Sequence, residues 1–211
     1  MAELSMNEII HSAVRRDFAR FEAALRSFPD GDSRRARQLR RAWETVDRQL
    51  HHHHQSEDAH VWPYVRNLGV ADPALLDAME SEHGAMASGL DAVSASLDTL
   101  VTYPTAARAA AAGDVLAETA RVTERHLEHE ETEVMPIITE RVETPEWKAV
   151  EKQLRKGPLS LSGELFAWLQ DGGDPATHEA LARTVPAPVR FLLSKGFGRS
   201  YHREVAPVWR T

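Results

Sequence analysis

Two segments of the chain carry the same arrangement of possible metal ligands. They read HHQSEDAHVWP at residues 53 to 63 and HLEHEETEVMP at residues 126 to 136, and they share the pattern His-x-x-x-acid-acid-x-x-Val-x-Pro. A histidine and a glutamate four residues apart lie on one face of a helix, one turn from each other. Each copy therefore presents an imidazole nitrogen and a carboxylate in the same direction, and two such faces can clamp a pair of metal ions.

The candidate ligands all fall on the apolar faces of predicted helices. Two histidines outside the repeat, at positions 11 and 83, also recur with apolar residues at intervals of three and four. An unpaired carboxylate in such a core costs several kcal/mol, and these faces contain no lysine or arginine. Metal ions are the remaining source of positive charge. The predicted metal ligands are His11, His53, Glu57, His83, His126 and Glu130.

The composition limits the kinds of metal ligand that the chain can offer and the classes of partner that it can bind. The chain of 211 residues contains no cysteine, so a metal must be held by imidazole and carboxylate, which suit iron or manganese and, less distinctively, zinc. The formal charge of −7 and the absence of a basic stripe argue against nucleic acid as a partner. Because the chain has neither a secretory leader pattern nor an apolar run of spanning length, we expect a cytoplasmic protein without a membrane partner.

Capping residues and prolines divide the first part of the chain into four predicted helices. The first begins at a capping box formed by Ser5 and Glu8. The second begins near Ser33, the third follows Asp72 at its N-cap, and the fourth begins near Thr105. Long amphipathic helices with short connections predict an all-α, antiparallel up-down-up-down four-helix bundle.

Residues 143 to 211 follow this bundle, which we place at residues 1 to 142. Prolines divide the later segment into short helical pieces that contain Trp147, Phe166, Trp168 and other large apolar residues. A disordered tail would be poorer in such residues. We therefore expect an α-helical C-terminal extension that packs on the bundle or forms a contact in a homo-oligomer.

Other histidines and acids near the repeat are weaker candidates. His51, His52 and His54 fall off the apolar face, which favours partial exposure or a contact behind the ligands. His60 and Glu133 occupy equivalent positions in the two copies, one turn beyond the carboxylates. Either could be an additional ligand, but we expect them to orient a ligand by a hydrogen bond.

These motifs resemble those of the hemerythrin-like proteins, the family of HHE cation-binding domains, over approximately residues 5 to 142. The resemblance implies a four-helix bundle with two non-haem iron ions joined by an oxo or hydroxo bridge. It implies that Glu57 and Glu130 bridge the irons, with His11 and His53 on one iron and with His83 and His126 on the other. The motifs that carry it are His11 with an arginine-rich turn, His53-x-x-x-Glu57-Asp58 with Pro63, Glu82-His83, and His126-x-x-x-Glu130-Glu131 with Pro136.

The chain departs from the oxygen carriers of this family at one position. They have a second histidine one turn after the ligand of the third helix, where this chain has Ala87. Glu80, one turn before that ligand, is a possible substitute, and otherwise one iron keeps an open position. We expect Asp58 and Glu131, which follow the bridging acids, to serve solvent or helix contacts.

An open position favours reaction with a small molecule. We expect a di-iron protein that reacts with oxygen, hydrogen peroxide or nitric oxide in oxidative or nitrosative stress defence, as a peroxidase-like, catalase-like or nitric-oxide-reactive oxidoreductase. Oxygen or iron binding, sensing or storage without turnover is the alternative. A third possibility is a ferritin-like carboxylate site, because Glu57-x-x-His60 and Glu80-x-x-His83 have Glu-x-x-His spacing. No catalytic residue is assigned.

Overall fold

The computed structural model describes residues 4 to 210, and this part of the chain contains helices and no strands. The predicted capping box is confirmed, since Ser5 and Glu8 bond each other's backbone N–H groups at the start of the first helix. Asp72 caps a helix as predicted, and the helix expected to begin near Thr105 has Thr105 as its N-cap. The helices of the first part are α1 Met6–Arg26, α2 Ser33–Ser56, α3 Trp62–Leu68, α4 Pro73–Thr102, α5 Ala106–His129 and α6 Met135–Thr139.

The four long helices pack around one apolar core. Helix α4 lies against α5 and α2, and α1 lies against α5. The predicted apolar face of α4 is confirmed at every position. Its buried side chains are Leu76, Met79, His83, Met86, Leu90, Val93, Leu97 and Leu100.

Both repeat copies contain a π-helical turn that begins at the predicted bridging glutamate. The turns span Glu57–Val61 and Glu130–Val134, and each closes on a hydrogen bond to the glutamate carbonyl from the residue five positions later. Pro63 and Pro136 explain the widening, because proline lacks an N–H and its ring clashes with the carbonyl four residues earlier. Each turn accommodates one extra residue and so rotates the following helix relative to the preceding one.

This rotation overturns the predicted roles of the residues that follow the glutamates. His60 is only half-buried and Glu133 is exposed, and no hydrogen bond joins either of them to the predicted ligands within residues 4 to 210. The expectation that they ligate or orient was wrong because it assumed an uninterrupted α-helix. The residues that take the buried positions are Val61 and Val65 in the first copy and Val134 and Ile138 in the second.

Most of the C-terminal extension shares the main core, whereas Trp147 packs in a second apolar cluster. The helices of the extension are α7 Pro145–Leu154, α8 Leu159–Gln170, α9 Pro175–Thr184, α10 Ala187–Phe191 and α11 Arg199–Glu204, and a 3-10 turn spans Ala206–Trp209. Helix α8 contacts both α1 and α2. The fully buried Trp168 donates its indole N–H to Asp17 of α1 at 2.8 Å. The Arg48 guanidinium of α2 donates to Glu164 of α8 at 2.7 Å. No helix within residues 4 to 210 has the length and apolarity needed to cross a membrane.

Candidate metal centre

Six side chains converge into two adjacent groups at one level of the long helices. Within each group, one possible ligand atom from every residue lies within 4.8 Å of the others. Four different helices and one π-helical turn supply them. The first group is His11, His53 and Glu130, and the second is His54, His83 and His126.

Glu57 lies between the two groups. Its Oε1 atom is 3.2 Å from His53 Nε2, and its Oε2 atom is 3.6 Å from His83 Nε2. The carboxylate thus presents one oxygen to each group. This is the geometry that a carboxylate needs to bridge two metal ions.

Glu130 occupies the corresponding place in the second repeat copy. Its Oε2 atom is 3.2 Å from His11 Nε2 and 4.0 Å from His126 Nε2. Its Oε1 atom accepts a hydrogen bond of 2.9 Å from the Asn7 side-chain amide. Asn7 therefore orients this carboxylate, a role that the sequence did not indicate.

The imidazole Nε2 atoms face one another in pairs. His11 and His53 are 3.3 Å apart at Nε2, and His83 and His126 are 3.2 Å apart. An imidazole nitrogen binds zinc at about 2.1 Å, so adjacent ligands on a metal of this size are separated by about 3.0 to 3.4 Å. Both Nε2 pairs therefore have the spacing of neighbouring ligands on one metal ion.

Three of these imidazoles each have the Nδ1 atom hydrogen-bonded to a carboxylate, and the carboxylate is a different one in each case. Such a bond places the ring proton on Nδ1 and leaves Nε2 free to bind a metal. Asp58 and Glu131 each serve a histidine from a different helix, so the expected role in solvent or helix contacts was incomplete. The pairs are His11 with Glu131 at 2.8 Å, His83 with Asp58 at 2.8 Å, and His126 with Glu82 at 2.9 Å.

Arg15 secures the carboxylate behind His11. Its guanidinium donates to both oxygens of Glu131, at 2.8 and 3.1 Å, and also to Glu124. Burial alone would raise the pKa of Glu131, but the bonds with His11 and Arg15 outweigh burial and hold this pKa at about 2. Glu131 is therefore ionised and keeps the His11 ring in position.

Three buried polar atoms at the centre lack a hydrogen-bond partner within the described chain: Glu57 Oε2, Glu130 Oε2 and His54 Nε2. Burial, with the charge of Glu130, raises the pKa of Glu57 well above its usual range. Burial also lowers the pKa of His53 to about 3, which leaves this imidazole neutral. Unsatisfied carboxylate oxygens of Glu57 and Glu130, with the neutral imidazole of His53 beside Glu57, fit a site whose positive charge comes from metal ions.

His54 is the residue whose role the sequence interpretation missed. Of the two alternatives expected for His54, partial exposure is wrong, because His54 is only 5% exposed, and the other was a contact behind the ligands. Its ring stacks on His83 with centroids 4.2 Å apart and meets the His126 ring edge at 5.5 Å. Successive residues on a helix point about 100° apart, so His53 and His54 of one helix face different groups. The sequence feature that could have revealed this role is the pair of adjacent histidines, His53 and His54, at the level of the ligands.

The proposed substitute Glu80 and the nearby histidine His51 lie away from the centre. Glu80 is half exposed and bonds Arg66, so it does not replace the histidine absent at Ala87. His51 contacts Asp47 on the outer side of α2. Within the described residues, His54 is the side chain that joins His83 and His126 in a candidate metal group.

A family model described as the hemerythrin HHE cation binding domain matches residues 9–138, which is more than half of the chain. The chain belongs to this hemerythrin family. The matched region contains all of the predicted ligands as well as His54 and the carboxylates that orient the histidines. Searches of curated proteins and of solved structures give no significant match. The HHE family binds cations, and the histidine and glutamate groups of this chain could hold a metal ion.

Substitution of Asp58 tests the carboxylates behind this HHE site. We expect Asp58→Ala to weaken metal binding by about 10-fold to 100-fold, because the His83 ring loses the partner that orients it. Asp77→Ala removes an exposed acid that pairs with Arg66, and it serves as the control. Competition with a chelator measures both affinities, and equal affinities would exclude an orienting role for Asp58.

Proposed function

We propose that this chain is a non-haem di-iron protein that binds and reacts with a small oxidant, namely oxygen, hydrogen peroxide or nitric oxide, in oxidative or nitrosative stress defence. We also propose that α1, α2, α4 and α5 form an antiparallel four-helix bundle. One observation carries the proposed function: five imidazoles divide into sets of two and three around Glu57 and Glu130, which lie between the sets.

The ligands divide unequally between the two proposed irons. His11 and His53 would hold the first iron, while His54, His83 and His126 would hold the second. His54 would supply the nitrogen that Ala87 does not, which would leave the open position at the first iron. When bound, the iron pair supplies electrons and this open position to a small oxidant.

A groove of about 350 Å³ between α1 and α5 is lined in part by chain neighbours of two proposed ligands, His11 and His126. Its apolar lining includes Val14, one turn after His11, and Leu127, next to His126. The Thr123 hydroxyl also lines it and is buried without a hydrogen-bond partner in the part of the chain that the structure describes. This groove is the proposed route by which a small ligand approaches the centre, and the Thr123 hydroxyl offers it one polar atom.

Metal content and reactivity test this function together. The purified protein is expected to contain about two iron ions per chain, with the near-ultraviolet absorption of a di-iron centre, and to consume hydrogen peroxide or nitric oxide. Elemental analysis, absorption spectroscopy and single-turnover mixing measure these properties. A protein without iron overturns the proposal, and an intact centre that consumes neither oxidant removes its reactive part.

Substitution of His54 tests the unequal division of ligands. Because His54→Ala removes one of three imidazoles from the second site, iron is expected to fall from about two ions toward about one per chain. His52→Ala removes a neighbouring, half-buried histidine and is expected to keep both ions. Elemental analysis and circular dichroism of both variants check metal and folding. Two retained irons with an unchanged spectrum would contradict the assignment of His54.

Binding without turnover is the second candidate function. Helix α1 carries both His11 of the metal centre and Asp17, which accepts the bond from Trp168 of the extension. A change at the centre therefore has a direct connection to residues after 143. Under this function, oxygen or metal occupancy changes the rate at which a protease cuts the extension. An unchanged cleavage rate would count against it.

A further inference from the structure

One stretch of the extension differs sharply in charge from the rest of the chain. Residues 180 to 203 contain five basic residues and no acidic residue, although the whole chain has a formal charge of −7. The basic residues are Arg183, Arg190, Lys195, Arg199 and Arg203. None of them belongs to the proposed metal centre.

The same stretch exposes large apolar side chains. Helix α10 continues through a π-helical turn at Leu192–Phe197, and this segment carries four large apolar residues that are 40 to 70% exposed. They are Val189, Phe191, Leu192 and Phe197.

Close packing on α8 fixes which face points outward. Ser194 and Gly198 form the buried face, and a Cβ atom added at Gly198 would lie 2.3 Å from the carbonyl oxygen of Gly163 in α8. Leu159, one turn earlier on α8, is 56% exposed. The apolar side chains therefore cannot turn inward without separating two backbones in contact.

Three of the basic residues have no carboxylate partner in the part of the chain that the structure describes. Arg183 pairs with Glu179 and Arg203 with Glu204. Within residues 4 to 210, by contrast, the structure shows no ion pair for Arg190, Lys195 or Arg199, and Arg190 Nε is buried without a hydrogen-bond partner. We name these three cations, together with Val189, Phe191, Leu192 and Phe197, the basic apolar surface.

We propose that the basic apolar surface docks this protein onto an anionic lipid bilayer. Exposed aromatic and aliphatic side chains interleaved with arginine and lysine are the features that hold an amphipathic helix in a bilayer interface. A two-fold contact between copies would instead place like charges against each other. A partner that presents only acidic groups would pair with the cations but would not cover the exposed apolar side chains. Peripheral docking needs no spanning segment, so the absence of an apolar run, from which we expected no membrane partner, does not oppose it.

Vesicle binding by the full chain tests this docking directly. We expect the protein to sediment with phosphatidylcholine vesicles that contain phosphatidylglycerol, to remain in solution with phosphatidylcholine alone, and to be released by added salt. Since the surface lies outside the metal centre, iron-loaded and metal-free protein should bind alike. Failure of the di-iron proposal would therefore leave this result unaffected.

Two pairs of variants separate the apolar and charged contributions. Phe191→Ser combined with Leu192→Ser, and Lys195→Gln combined with Arg199→Gln, are each expected to weaken vesicle binding about tenfold. Arg108→Gln combined with Arg121→Gln removes the same charge from exposed positions of α5 and should bind normally. Equal binding to neutral vesicles, no binding to anionic ones, or a concentration-dependent dimer abolished by the Phe191 and Leu192 changes would each overturn the proposal.

Discussion

Glu130→Ala is expected to leave the purified protein with less than about one iron ion per chain. Glu130 is buried, and its Oε2 atom lies 3.2 Å from His11 Nε2 and 4.0 Å from His126 Nε2, so one carboxylate serves both proposed metal positions. Its removal takes a ligand and a compensating negative charge from both irons at once. Elemental analysis and the near-ultraviolet absorption of the iron-reconstituted variant measure the loss.

Glu133→Ala is the matched control for this substitution. Glu133 belongs to the same π-helical turn and has the same side chain, but it is exposed. The variant is expected to retain about two iron ions and an unchanged spectrum. If Glu133→Ala loses metal as Glu130→Ala does, then Glu133 is not an exposed residue outside the metal centre. If Glu130→Ala keeps both ions, Glu130 does not bridge them.

Trp168→Ala is expected to lower the free energy of unfolding by about 3 to 5 kcal/mol, the usual cost of truncating a fully buried tryptophan. Trp168 lies in the extension, yet it is fully buried in the same core as α1, α2, α4 and α5. Its indole also donates to Asp17, which is itself 1% exposed. Urea unfolding followed by circular dichroism measures the change for the whole chain.

Two further variants define the source of this loss. Trp168→Phe keeps most of the apolar contact but leaves Asp17 without the indole donor. We therefore expect this variant to lower the free energy of unfolding by about 1 to 3 kcal/mol. Phe191→Ala, at an exposed position of the same extension, is expected to change stability by less than about 0.5 kcal/mol. One cooperative transition is expected for the native chain. Separate transitions, with Trp168→Ala affecting only one, would show that the extension folds independently.

The helical part of the site was readable from residue spacing. On α4 the interval of three and four residues predicted every buried position, including His83, because a regular helix repeats its burial every 3.6 residues. The same rule placed His11 on the buried face of α1 and His126 on that of α5. Where the helix stays regular, residue spacing is sufficient to predict which side chains are buried.

The rule failed after Glu57 and Glu130, where the helix widens. A period of 3.6 residues carried past these glutamates assigned His60 and Glu133 to the interior, whereas the wider turns bury Val61 and Val134. The signal was present in the repeat itself, since a proline stands six residues after each glutamate. Proline signals a disturbed helix, but only the packed structure showed that the disturbance is a π-helical turn and not a break.

The sequence by itself determined the helices, their caps and a repeated pair of ligand types, because these depend on residues close together in the chain. The tertiary structure decided which side chains meet. Asp58 reaches His83 and Glu131 reaches His11 across helix boundaries, and His54 joins His83 and His126 although it lies off the face predicted to carry ligands. These contacts depend on the rotation of one helix against another, which packing of the whole core fixes and local spacing does not encode.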